Sequence, residues 1–330
     1  MKINEFSKNI EKLVNPITVG SLHFLQSFVD LLPKKVQGKL IRSSSKNTPY
    51  MGFVVEPYSY FLCYEITDIE KAKSLLPDGF ELIKTKIFED DEPKYYCIFG
   101  CITAHTSGFW GSRIEFYIIA ENKNTGLLSW IIVDYDTNTI SYDKKRGLMS
   151  PNASNSVITT TYDGNVLVDF VRNDNTKKLI FESDIKKGVL KRLDQRLWLE
   201  GNLSIGYGKY LSENDADIFS LKFDPLEVKQ ALEIPLSSLK LEINTWFPGL
   251  FSEVPSQIAC FQYAQHFLSD SPGSSSLIKN EKELISECDK IKFENLKVFS
   301  TKSYRIMFFI SSALSIGVNI TLLLLWLNSI

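Results

Sequence analysis

The sequence predicts a mainly β domain, an antiparallel barrel or sandwich with peripheral helices, followed by a C-terminal transmembrane helix. Three observations predict it. From Tyr58 onward, short runs of aromatic and β-branched residues alternate with turns rich in Gly, Pro, Asn and Asp. Strong local helix signals, by contrast, are few. The chain closes with Ile306 to Ile330, twenty-five residues without a charged side chain.

In the leading region, Ile3, Phe6, Ile10, Leu13 and Val14 fall on one helical stripe, and a second apolar stretch runs from Val19 to Leu32. Basic residues border these apolar faces, so the region is expected to dock on the main domain or to lie in the membrane interface. Residues 1–48 form this helical region and its linker, with polar, serine-rich Arg42 to Thr48 leading into the domain at 49–268.

Strands are expected at Tyr58 to Ile66, Phe80 to Phe88, Tyr95 to Thr103, Arg113 to Ala120, Leu127 to Val133 and Ser156 to Tyr162. Asn138 to Tyr142, Val166 to Val171, Lys178 to Glu182, Leu197 to Gly206 and Ser220 to Phe223 continue the series. Between the first two strands, Thr67 to Glu70 reads as a capping box. Ile69, Ala72, Leu75 and Leu76 supply one apolar face, and Pro77 with Gly79 ends the helix. A further helix is expected over Ser256 to Leu268. Residues 269–305 read as a polar and charged spacer, because Ser269 to Ser276 is rich in Ser, Gly and Pro and Lys279 to Phe299 is highly charged.

The final segment, 306–327, is long enough as a helix to cross a hydrocarbon core of roughly 30 Å. Lys297, Lys302 and Arg305 precede it and no basic residue follows, which places the main domain on the cytoplasmic face. Three residues follow the span, so the expected working part of the chain lies on the near side. The N-terminus mixes charged residues into its apolar positions and lacks the uninterrupted apolar run of a secretory signal.

Composition excludes several classes. A formal charge of −2 leaves no nucleic-acid footprint. Five scattered cysteines do not form the pattern of a disulfide scaffold. Cys97 and Cys101 sit on one face of a strand, about 13 Å apart, and read as packed thiols. His23, His105 and His266 show no ligand spacing with them, so neither a metal nor a cofactor is expected. A three-glycine nucleotide fingerprint, a nucleophile elbow and a phosphate loop are all missing from the sequence.

The order strand, capped helix, LLPDGFEL, then strand resembles the start of the acetoacetate decarboxylase family. The resemblance continues through Thr106, Ser107, Gly108 and Glu115 to Leu127–Ser154, and more faintly over 200 to 268. It implies a closed antiparallel β-barrel with helices outside and an interior site. In that family a lysine amine forms a cationic imine with a β-keto acid. A neighbouring lysine and an apolar pocket depress the amine's pKa, so that it is nucleophilic near neutrality.

The matching segment here is Gly147, Leu148, Met149, Ser150, Pro151, Asn152. Ser150 stands at the imine-forming position, and a hydroxyl cannot form a cationic imine. Tyr58 falls near the family's pocket arginine and Phe99 near its second glutamate; only Glu115 is retained. The ordinary reading of Glu115, which shares its strand face with Arg113 and Tyr117, is a solvent-facing cross-strand partner.

Two chemistries remain open. One is a barrel that binds an apolar or amphipathic small molecule, lipid-derived ones included, lined by Tyr58, Phe99, His105 and Met149 and lacking imine chemistry. The other is a lyase that recruits Lys144 or Lys145 with Glu115 and Ser150. A structural or interaction module is the third reading.

Overall fold

The computed structural model describes residues 3–29, 33, 51–106, 109–143, 147–208, 218–219, 221–269, 278–296 and 302–328. Lys144, Lys145 and the expected Arg42–Thr48 linker lie outside them. The chain is mainly β with peripheral helices.

Helices α1 (Ile3–Leu13) and α2 (Pro16–Val29) open the chain. The stripe read from the sequence is the buried one, since Phe6 and Ile10 are fully covered. α1 packs on the strands Met51–Val55 and Gln265–Ser269. Gly52 permits this close approach, because a Cβ there would lie 2.9 Å from the Leu13 side chain and 3.0 Å from the Ile10 carbonyl.

Helix α3 (Ile69–Leu75) forms where the capping signals put it, but Asp68 is the cap. Its carboxylate accepts from the Lys71 amide at 2.9 Å. Glu70 turns outward to Lys73 at 2.7 Å rather than back to Thr67, so the reciprocal half of the expected box is absent. Leu76 and Pro77 leave the helix, and Gly79 turns the chain at φ 85°.

Among the described residues the principal sheet has fourteen strands. Its main path runs Val189–Arg192, Gln230–Glu233, Gln257–Phe261, Ser59–Glu65, Lys94–Thr106, Trp110–Asn122, Leu128–Thr137, Ile205–Tyr207 and Ile218–Phe219. Met51–Val55 branches from the same edge of Lys94–Thr106 that Ser59–Glu65 uses. The bend between those two strands falls at Tyr58, whose φ of 65° is unusual for a side chain with a Cβ.

The expected closed barrel is overturned. Among the described residues, the two terminal strands of the path do not pair, and the sheet stays open. A second sheet, Ala153–Thr160, Asn165–Arg172, Lys178–Asp184 and Leu239–Asn244, stacks against it instead of completing a cylinder.

Both faces of the principal sheet are covered. One carries α1, α2, the turn around Trp198 and α4 (Glu281–Asp289); the other carries the four-stranded sheet and α3. This burial explains why Lys94–Thr106 and Trp110–Asn122 read as continuous apolar runs instead of alternating ones.

Other expectations change for identifiable reasons. Ser256–Leu268 is two strands, not a helix: Gln257–Phe261 pairs with Ser59–Glu65, and Gln265–Ser269 pairs with Met51–Val55. Leu197–Gly206 is mostly tight helical turns that bury Leu197, Trp198 and Leu199 before the strand at Ile205. Phe80–Phe88 breaks into Phe80–Leu82 and Lys84–Thr85, which pair with different strands. Within the charged stretch read as spacer, α4 buries Leu284 and Cys288 in the core.

The last helix, α5 (Lys302–Leu327), contains one span long and apolar enough to cross a membrane, Arg305–Leu327, and none of that span is buried in the domain. At about 1.5 Å per residue, 23 residues reach about 34 Å.

Candidate functional site

The hairpin of Lys94–Thr106 and Trp110–Asn122 builds the site. Alternation along the second strand sends Ile114, Phe116 and Ile118 to the face covered by the four-stranded sheet, and Arg113, Glu115 and Tyr117 to the opposite one. Glu115 is buried, not solvent-facing. Its two carboxylate oxygens accept short hydrogen bonds from Arg113 Nε and the Tyr117 hydroxyl. Arg113 Nη1 also donates to Ser141 Oγ at 2.6 Å, and the guanidinium lies 3.9 Å from the Tyr135 ring centre.

Arg113 is 3 % exposed and Glu115 9 %, so the two charges are taken out of water together. Gly100 is the register partner of Glu115. A Cβ at Gly100 would come 3.1 Å from the Phe61 ring and 3.2 Å from that of Tyr117, so glycine is what lets Tyr117 settle beside the carboxylate. Beyond the polar row stand edge-to-face aromatic rings. Tyr117 meets Trp130 at 4.9 Å, Phe61 meets Trp198 at 5.1 Å, and Trp198 meets Phe261 at 5.2 Å.

The other residues expected at this site divide. Met149 is the register partner of Ser141, so its segment lies beside the group that Arg113 touches. Ser150, next in sequence, is exposed, and its hydroxyl accepts from Gln26 Nε2 of α2 at 3.1 Å. Phe99 and Tyr58 pack on the opposite face of the sheet. Phe99 is fully buried, 4.8 Å from Phe116 and 5.6 Å from Trp246, and so is a core residue between the sheets. Tyr58, Phe99 and Glu115 therefore do not share one interior.

His105 lies at the end of its strand with its ring 3.9 Å from that of Trp110. Its Nε2 is 2.6 Å from Glu56 Oε1, a close contact poorly aligned for a hydrogen bond. Burial lowers the imidazole's proton affinity, against the opposing pull of Glu56 and Glu11.

A second polar cluster was missed by the sequence reading. Asp134 and Asp136 point from Leu128–Thr137 toward the four-stranded sheet, where Arg172 meets Asp136 at 2.6 Å and Asp134 at 3.0 Å. Lys177 makes a short contact with Asp134 and sits 4.1 Å from the Phe247 ring centre. Two carboxylates on one face of IIVDYDT, an otherwise apolar strand, were the available signal.

Burial outweighs Arg172 at Asp136 and pushes that carboxyl up to about 6. Arg172 itself stays firmly charged: burial, the largest single influence on it, is overcome by the two acids together. The directions differ because two carboxylates share one guanidinium, which leaves Asp136 the weaker claimant. Burial also lowers the Lys177 amine. With two acids and two bases spanning the two sheets, the cluster acts as a clamp between layers.

Asn152, in the sequence Asn-Ala-Ser, donates its side-chain amide to the Tyr135 carbonyl at 2.9 Å and to Asp136 at 3.1 Å. All five cysteines are buried free thiols, and no group of three His, Cys, Asp or Glu among the described residues could hold a metal ion.

No family model matches the chain, and no curated protein matches it either. Solved structures of acetoacetate decarboxylase are among those similar to it. Acetoacetate decarboxylase from Legionella pneumophila subsp. pneumophila str. Philadelphia 1 is 14 % identical, with 70 % of this chain and 89 % of that one covered at a TM-score of 0.43. A second structure of acetoacetate decarboxylase is 10 % identical, covering 68 % and 87 % at a TM-score of 0.39. Both superpositions are loose, and the functional reading rests on this chain's own residues.

Proposed function

We propose that this chain is a membrane-anchored, cytoplasm-facing β domain that binds an amphipathic small molecule and performs no imine-forming decarboxylation. The observation that carries it is the engagement of Glu115 by Arg113 and Tyr117. With both carboxylate oxygens holding donors, Glu115 serves to fix Arg113. Ser150, at the position where the family resemblance calls for the lysine, is exposed and bonded to Gln26. A hydroxyl there supports hydrogen bonding and not condensation with a ketone.

What remains is a buried polar row, Arg113 with Ser141, backed by packed aromatic rings and with exposed Ser150 at its rim. Ser150 would meet the small polar head of a molecule with an apolar body.

Native mass spectrometry of the detergent-extracted chain tests this reading. The expected result is a retained small amphipathic molecule, with lower occupancy in Ser150→Trp, a substitution at an exposed site. An empty wild-type chain would overturn ligand binding. Borohydride trapping in the presence of a β-keto acid tests the chemistry separately: a lysine adduct, at Lys144, Lys145 or elsewhere, would sink the non-enzymatic reading.

A further inference from the structure

α2 contains no Asp, Glu, Lys or Arg, which is unusual for a helix on the outside of a domain. Its inner side is well seated: Thr18, Val19, Leu22 and Gln26 are buried. His23 Nε2 lies 3.0 Å from Thr139 Oγ1, and Gln26 reaches Ser150. Its outer side shows Ile17 at 61 % and Phe24 at 48 % exposure.

Phe24 also meets Phe308 edge-to-face at 5.1 Å. Phe308 stands in the first turn of the span Arg305–Leu327. It lies three steps of about 1.5 Å beyond Arg305, so Phe24 sits at the depth where a spanning helix enters the bilayer.

Trp110 belongs to the same end of the molecule. It precedes Gly111, where a Cβ would lie 3.1 Å from Thr139, the residue that His23 touches. It is 40 % exposed. Tryptophan is enriched at the membrane–water boundary, where its ring is buried and its N–H stays wet.

We propose that the outer face of α2 and Trp110 together rest in the headgroup region of the bilayer that α5 enters, so that the domain lies on the membrane in one fixed orientation. This rests on the reading of α5 as a membrane span. The occupant is a lipid surface because the patch is continuous with the span through Phe24 and Phe308 and α2 bears no charge that lipid would have to strip of water. The orientation puts the Ser150 rim, which α2 contacts through Gln26, beside the bilayer. An amphipathic ligand then exchanges with lipid at the edge of α2.

The experiment uses the full chain in phosphatidylcholine vesicles with a minor share of phosphatidylserine. All native cysteines are buried, so single thiols at Ile17→Cys, Phe24→Cys and Trp110→Cys accept an environment-sensitive fluorophore. Leu314→Cys in the span and Asn124→Cys at the opposite end of the Trp110–Asn122 strand serve as references. The expected result is blue-shifted emission at 17, 24 and 110 that brominated acyl chains quench, with Leu314→Cys also quenched and Asn124→Cys unaffected. If Leu314→Cys is quenched but 17, 24 and 110 behave like Asn124→Cys, the resting orientation is wrong and the span stands. If Leu314→Cys escapes quenching, the span itself fails and the orientation falls with it. Blue-shifted but unquenched labels at 17 and 24 would mean that protein, such as a second copy, covers the face, and would also overturn the proposal.

Discussion

Replacing Asp136 with Asn should stabilise the protein at neutral pH and leave it no better, or worse, in acid. The carboxyl is 1 % exposed, one of its oxygens has no partner, and Asp134 competes with it for Arg172. Its folded pKa of about 6 lies above the unfolded value of 3.8. A raised value means that the folded chain binds the proton more tightly. The resulting stability is fully present below about pH 3.8 and is lost as pH rises through about 6. Two pKa units amount to about 3 kcal/mol.

Asn keeps an acceptor for Arg172 and never ionises, so the advantage of Asp136→Asn over wild type should grow by about 3 kcal/mol between about pH 3 and pH 7. The charged contact to Arg172 exists only while Asp136 is ionised and is already contained in the folded pKa, which it lowers. For a domain of this size the change corresponds to roughly 5–10 °C in melting temperature. Thermal melts of both proteins in detergent at a series of pH values read it directly. A difference that is the same at every pH would refute the reasoning, because it would mean that Asp136 stays ionised throughout.

The Arg113–Glu115 pair makes a different prediction. Arg113→Ala should destabilise by about 3–5 kcal/mol by leaving a buried carboxylate unpaired, whereas the double variant Arg113→Met, Glu115→Met should lose much less, as read by denaturant titration. Gly201→Ala should unfold the domain or abolish its expression, since the new Cβ would collide with the Trp130 indole nitrogen; a normal melting curve would disprove the tight packing of that turn. His266 is held above its ordinary pKa by Glu227 and Glu11 despite burial. Its contribution is therefore complete below about pH 6.5 and fades as pH rises through the folded value, so His266→Gln should cost stability at pH 6 and little at pH 9. In a glycosylation-competent lumen Asn152 should stay unmodified in the folded chain because its amide is already bonded twice; a glycan on natively folded protein would contradict this.

Local chemistry was enough to locate the pieces. Runs of aromatic and β-branched residues between turns marked most strands, Asp68 with Pro77 and Gly79 bounded α3, and the uncharged stretch from Ile306 marked a helix whose span is not buried among the described residues. The same rules misread Ser256–Leu268, because a short apolar run fits helix and strand equally until Ser59–Glu65 supplies a partner.

The sequence by itself determined that this is a β-rich chain with a candidate C-terminal span, since strand alternation, caps and unbroken hydrophobicity are properties of neighbours along the chain. It also placed Arg113, Glu115 and Tyr117 on one face. Only the tertiary structure decided what that face meets. Stacking of the second sheet on the first, in place of barrel closure, put Phe99 and Tyr58 on one side and Glu115 on the other. Burial then turned Glu115 from an exposed strand residue into half of a desolvated ion pair. The clamp of Asp134, Asp136, Arg172 and Lys177 likewise exists only because two layers meet, and no spacing along the chain encodes which layer lies opposite.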